Sequence, residues 1–237
     1  MTFHIISLFP NAFRSYLGES ILKRAIEGIK PRRPKGSGSR PEASGKIAVK
    51  FYNPRDFAEN KWKRIDRKPY GGGPGMVIQA EPVIRAIEKA CSNVLKNNRI
   101  RKKQKAKIIW LTPNGKQFTN ETAIQYAKKY RNIIIICGRY EGIDARVKKI
   151  FNVEELSVGP FVLTGGELAA EILIDTIARQ VEGVLGDPQS REETRVVASD
   201  VYTRPEVFVY KKKKYRVPKI LLTGHRARIE EWRQKRQ

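Results

Sequence analysis

The stretch "NIIIIC" at 132–137 decides the fold. Side chains alternate between the two faces of a strand, so four consecutive isoleucines cannot all sit on one face. A strand apolar at every position has both faces covered, as buried strands of parallel sheets do. Working outward, helical periodicity covers 119–131 before it, and "KIIWL" (107–111) is a further apolar strand pattern. Helical patterns also cover 81–97 and 11–29, with "FHIISLF" (3–9) and "KIAVKFY" (46–52) as strands. After the isoleucines come a shorter strand candidate, "ELSV" (155–158), and a helix over 165–182. Strands that alternate with helices predict an α/β domain built on a parallel sheet.

Between the last strand and the last helix runs "SVGPFVLTGGE" (157–167). Thr164 and Glu167 have the spacing of a capping box, which predicts that the helix starts there. Two glycines at such a junction serve either a tight strand-to-helix turn or a close approach of backbone to a ligand.

Composition narrows the class of partner. With 237 residues, 40% of them apolar, the chain can bury a core as one large domain or two smaller ones. Its 48 lysines and arginines against 24 acids give a net charge of +24. That excess points to a polyanion, nucleic acid before an anionic membrane. No apolar run approaches the roughly 20 residues of a membrane span. "MTFHIISLFP" lacks a basic leader and meets Pro10, which predicts no secretory signal. Cys91 and Cys137 form neither a disulfide framework nor a metal cluster, in keeping with a cytoplasmic protein.

Residues 30–46, with six basic residues and one acid among Pro, Gly and Ser, read as a flexible basic insertion. The domain that contains it spans 1–182, and 183–200 reads as an interdomain linker. Beyond it, 201–237 carries twelve Lys/Arg against three acids and ends in a predicted helix at 225–236. This is read as a small, mainly helical basic module.

In open α/β sheets ligands bind beyond the C-terminal ends of the strands. Three such ends carry loop chemistry, "TPNG" (112–115), "GRYEG" (138–142) and "SVGPFVLTGGE" (157–167), and three turn-rich loops on one sheet edge point to a pocket. The motif G-x-x-x-x-G-K-S/T is absent, and "YGGGPGM" (70–76) lacks the spacing of a dinucleotide turn. ATP-driven and NAD chemistry are therefore not expected.

Six blocks now stand in order: "DRKPYGGGPGM" (66–76), "ICGRYEGID" (136–144), "LTGGELAAEILID" (163–175), "GVLG" (183–186), "YTRPEV" (202–207) and "LLTGHRARIEEWR" (221–233). Together they closely resemble the bacterial tRNA (guanine-N1)-methyltransferases of the TrmD type, in the SPOUT superfamily, over nearly the whole chain. The resemblance implies a deep trefoil knot at the C-terminal end of the first domain. It implies methylation of N1 of the guanosine just 3′ of the tRNA anticodon, with S-adenosylmethionine as donor, by a cytoplasmic homodimer. It also implies Mg²⁺ in catalysis; with no metal-ligand cluster in the sequence, any ion would be held by RNA or carboxylates.

Carried over position by position, the resemblance places the cofactor on Leu111, Thr112 and Pro113, on Gly138 with Glu141, and on Val158, Gly159, Pro160, Phe161, Val162, Leu163, Gly165 and Gly166. The family usually has an acid where this chain has Pro160. Guanine N1 is a poor nucleophile until a base takes its proton, and the negative charge then spreads toward O6. The resemblance assigns Arg179 to that charge. On spacing alone, Glu171, Asp175 and Arg179 form an i, i+4, i+8 stripe that an ion pair would equally explain. The family's aspartate falls at Thr194, which leaves Glu193 and Glu192 as candidate bases or as solvated linker charges. Asp66, Tyr70, Gly71, Gly72, Gly73 and Gly75 match a segment near the target base. His225, Arg226 and Arg228 match one that grips the anticodon stem. The lysine runs at 101–107 and 211–214 add phosphate binding without sequence choice. Two rivals remain: a non-catalytic RNA-binding protein that keeps the fold, and a related enzyme that acts elsewhere on RNA.

Overall fold

A computed structural model describes residues 1–28, 45–97, 106–185 and 200–235. It divides into two compact units, Met1–Leu185 and Gly186–Gln237. The basic insertion falls almost entirely outside the described residues, as do linker residues 186–199 and lysine-run residues 101–105.

In the first unit β1 (Thr2–Ile6) leads through a 3₁₀ turn at Pro10–Phe13 into α1 (Arg14–Leu17) and α2 (Ser20–Glu27). The single helix expected over 11–29 is thus broken. Ser20 adopts φ +47°, outside the helical region, so the chain turns between two short helices. Then come β2 (Ala48–Tyr52), a small hairpin of β3 (Asp66–Arg67) and β4 (Val77–Ile78), and α3 (Ala80–Asn97). The unit continues with β5 (Ala106–Gln117), α4 (Asn120–Lys129), β6 (Asn132–Ile136), α5 (Arg146–Ile150), β7 (Glu154–Ser157) and α6 (Gly166–Ala178).

Five strands form one sheet in the order β2-β1-β6-β5-β7, every pair parallel. β6 is central, and its four isoleucines are all fully buried. Ile133 and Ile135 pack on one face with Leu173, Ile174 and Ile177 of α6 and Ala123 of α4. Ile134 and Ile136 pack on the other with Val83 and Ile87 of α3 and Val147 of α5. The unbroken apolar run therefore serves two cores of period 2, as expected of a sheet covered on both sides.

β5 outruns its expected length. Leu111 and Lys116 both pair with Leu156, so "TPNG" is a buckle within the strand and not a loop after it. Gly115 makes this fit, since a Cβ there would stand 2.6 Å from the backbone of Leu156.

The second unit is less helical than expected. It holds a hairpin of β8 (Val207–Tyr210) and β9 (Lys213–Arg216) before α7 (Lys219–Leu222) and α8 (Arg226–Gln234). Lys211 and Lys212 turn the hairpin at φ +48° and +65°, positions that usually take Gly or Asn, so "KKKK" gives no turn signal. Trp232 packs 6.3 Å from Tyr202, ring centre to ring centre.

Candidate functional site

The C-terminal ends of β5, β6 and β7 open on a cavity of about 390 Å³. Three segments wall it. The buckle of β5 contributes Leu111, Thr112 and Pro113; the turn after β6 contributes Gly138 to Ile143; the passage from β7 to α6 contributes Val158 and Phe161 to Gly166. Every cofactor candidate except Gly159 and Pro160 lines it. Gly159 is buried, and a Cβ there would run into the Phe161 ring; Pro160 is exposed.

Two of the walls are fastened to each other. The Gly166 amide donates to the Gly138 carbonyl at 2.9 Å, and Arg139 bridges Gly165. A Cβ on Gly166 would stand 2.7 Å from Cα of Cys137, and one on Gly165 would run into the Arg139 side chain. Gly166 is thus required by the close packing of the start of α6 on the end of β6, while Gly165 makes room for the Arg139 side chain.

The expected capping box does not form. The N-cap is Gly165, with no side-chain cap, and Glu167 turns inward. Its carboxylate, nearly wholly buried, accepts from Ser7 Oγ at 2.8 Å and from Arg139 Nε at 2.9 Å. Arg139 also donates through Nη1 to the Thr164 carbonyl at 3.2 Å and lies over the Phe9 ring, 4.7 Å from its centre. A buried carboxylate needs such partners. The same T-x-x-E spacing suits a solvent-side cap and an inward acid, and only the rotation of the helix separates them. Ser7, Arg139 and Glu167 were therefore missed as residues that shape the site. Also unforeseen is a second pair on the wall: Lys148 Nζ donates to both oxygens of Glu155, at 3.0 and 3.1 Å.

The glycine-rich segment stands at the edge of this cavity. The β3–β4 hairpin holds it, with Asp66 opposite Ile78. It is laced to the β6 turn by Glu141 N to Met76 O (3.1 Å), Ile78 N to Gly142 O (3.0 Å) and Asp144 N to Ile78 O (2.9 Å). Gly71, Gly72, Gly73 and Gly75 all take positive φ, from +76° to +111°, and Tyr70 is fully exposed. A Cβ on Gly75 would run into the Glu141 side chain. Of the base-proximal candidates, the structure brings Gly75 beside Glu141, while a Cβ on Gly71, Gly72 or Gly73 would meet open space.

Arg179 is the C-cap of α6. Within the predicted stripe, Asp175 accepts the Tyr16 hydroxyl at 2.7 Å, which pushes the Tyr16 pKa up to about 12. Glu192, Glu193 and Thr194 lie outside the described residues. In the second unit His225 is the N-cap of α8, and Arg226 and Arg228 are exposed on its first turn. Among the described residues no three of His, Cys, Asp and Glu gather as a metal site.

All 237 residues match the family described as tRNA (guanine-1)-methyltransferase TrmD. The sequence is 40% identical to a tRNA (guanine-N(1)-)-methyltransferase of Clostridioides difficile, with 98% of this chain and 90% of the relative covered. It is 41% identical to the same-named protein of Dechloromonas aromatica (98% and 84% covered). The identity to that of Caldanaerobacter subterraneus is 40% (100% and 86% covered).

Proposed function

Since this chain belongs to the tRNA (guanine-1)-methyltransferase family of the TrmD type, we propose that it methylates N1 of the guanosine just 3′ of the anticodon, with S-adenosylmethionine as methyl donor. The observation that carries this reading is the cavity at the C-terminal ends of β5, β6 and β7, where a parallel sheet binds its ligands.

The lining fits such a donor. Leu111, Val158, Leu163 and Ile143 offer an apolar bed, with Thr112, Gly138 and Gly165 among the other lining residues. Glu141 and Val162 stand at its wall, and the volume lies within the usual range for small-ligand sites, roughly 300–1,000 Å³. Bound there, S-adenosylmethionine supplies an electrophilic methyl group on a sulfonium. Glu193, with Glu192 beside it, takes the proton from guanine N1, and Arg179 holds the negative charge that gathers on O6. Asp66, Tyr70 and Gly71–Gly75 receive the target base. His225, Arg226 and Arg228 grip the stem. Any Mg²⁺ in catalysis would be held largely by RNA or carboxylates, where it would offset negative charge.

A deep trefoil knot belongs to the same proposal. In its support, the passage from β7 to α6 lies against both the end of β5 and the turn after β6, through Phe118 N to Ser157 O (2.8 Å) and Gly166 N to Gly138 O (2.9 Å). The protein acts as a cytoplasmic homodimer in which one subunit's knot and its partner's C-terminal unit form each site. Two free cysteines suit that compartment, and among the described residues no helix is long and apolar enough to cross a membrane.

The test uses methyl-labelled donor and two tRNA transcripts, one with G and one with A just 3′ of the anticodon. Label on the G transcript alone, mapped to N1, is the expected result, and Glu193→Gln then lowers turnover by roughly 10²-fold or more. Donor binding without transfer to either transcript would instead favour a non-catalytic RNA-binding protein.

A further inference from the structure

Just before the β3–β4 hairpin the chain makes a turn in which residues 60–64 are all exposed. In "NKWKRIDRK" (60–68) five cations stand against one acid. Asn60 closes this turn: its Nδ2 donates to the Arg64 carbonyl at 2.6 Å and its Oδ1 accepts from the Arg64 amide at 2.8 Å. The Lys63 amide adds a bond to the Asn60 carbonyl at 3.0 Å, with Lys63 at φ +50°. Ile65, 1% exposed in the core against α3, anchors the far side. The turn is thus held from both ends, and at its tip Trp62 is 76% exposed. Lys61 Nζ lies 5.7 Å from the centre of that ring, while Lys63 is 3.9 Å from Asp56. Lys61, Arg64, Arg67 and Lys68 form no ion pair with a carboxylate among the described residues.

An indole this open, on a turn this well fastened, presents an ordered apolar plate to solvent with the Lys61 ammonium beside it. Its surroundings select what covers it. A neutral apolar partner would gain nothing from a dense rim of cations, whereas a polyanion with unpaired bases uses both parts, and the reading of the substrate as tRNA favours RNA over an anionic lipid surface. Bases stack on the plate and phosphates meet the lysines and arginines. The turn also runs without a break into Asp66 and the glycine-rich segment beside the cavity.

We propose that Trp62, presented by the Asn60-clamped turn and ringed by Lys61, Lys63, Arg64, Arg67 and Lys68, is a stacking platform for an unpaired base of the RNA substrate, outside the methylation pocket. This rests on the reading of the substrate as tRNA. The platform adds affinity, and holds the strand that leads to the glycine-rich segment.

Acrylamide quenching of tryptophan fluorescence tests it directly. Trp110 is buried and Trp232 half-buried, so Trp62 dominates the quenchable emission. An unmodified tRNA transcript is expected to shield that emission, and Trp62→Phe to abolish the shielded component. Trp62→Ala weakens transcript binding by about tenfold, with Trp62→Phe close to the parent. The pair Lys61→Ala and Arg64→Ala lowers the slope of log affinity against log salt by about two. Thermal melting and donor binding stay unchanged in all variants, since none of the substituted side chains is buried or lines the cavity. If the transcript binds but leaves Trp62 as quenchable as before, or Trp62→Ala binds as tightly as the parent, the platform is refuted while the tRNA reading stands. If no transcript binds even at low salt, both fall together.

Discussion

Glu167 shows how much one buried carboxylate can organise. It joins Ser7 at the end of β1 to Arg139 beyond β6, and Arg139 in turn holds the carbonyl of Thr164. Glu167→Ala leaves the guanidinium without its counter-charge, and urea denaturation is expected to report a loss of roughly 3 kcal/mol. Glu167→Gln retains an acceptor for Ser7 and loses less; calorimetry on either variant should show weaker donor binding, since both walls depend on Arg139. His4 is a second buried polar residue. Its Nδ1 lies 2.9 Å from the Tyr52 hydroxyl and its Nε2 3.3 Å from Asn132 Oδ1, while Asn93 donates to the same hydroxyl at 3.0 Å. Those partners fit a neutral ring protonated at Nε2. Burial lowers its pKa, Lys50 on β2 lowers it further, and the Asn132 bond opposes them. The unfolded chain then takes up the proton first as pH falls. Its stabilising contribution is complete above about pH 6.5, the unperturbed value, and is lost below it. The urea midpoint should drop between pH 7 and 5 more steeply in the parent than in His4→Gln.

At the scale of elements, α6 has one face in the core and another open to solvent. Ala170, Leu173, Ile174 and Ile177 bury one face against the sheet, and its first residues close the cavity. On its other side Leu168 and Ile172, one turn apart, are 58% and 44% exposed. The proposed homodimer gives that ridge a partner. Sedimentation of the double variant Leu168→Glu/Ile172→Glu should show monomers that retain their circular dichroism and have lost turnover. A dimer that survives the change would place the interface elsewhere. Elements also mark where local signals failed. Gly115 reads as part of a turn in "TPNG", yet it lies inside β5 because its contact with Leu156 comes from a strand some 40 residues later, invisible to any local window.

For the whole molecule, charge is the dominant property. A net charge of +24 predicts RNA binding set largely by the release of counterions. Affinity for a tRNA transcript, measured by filter retention, should fall by at least about 10³-fold between 50 and 200 mM salt. Donor affinity should hardly change, because the cavity is walled by mixed and paired groups such as Lys148 with Glu155. A shallow salt dependence would mean that few of the exposed cations, among them Lys61, Arg67 and Lys212, reach phosphate.

The sequence by itself determined the parallel α/β class, the five strands of its sheet and the segments that wall the cavity, but neither of the two small hairpins. Periodicity and apolar runs record burial residue by residue, and Ile133 to Ile136 need no distant partner to reveal a strand buried on both faces. Tertiary structure alone decided the neighbours. It chose β6 as the central strand, and it turned Glu167 from a helix cap into the carboxylate that holds Arg139. It also made Gly165 and Gly166 the points where a helix start meets a strand end. Such outcomes are set by contacts between residues far apart in the chain, and spacing within one segment carries no record of what lies across from it.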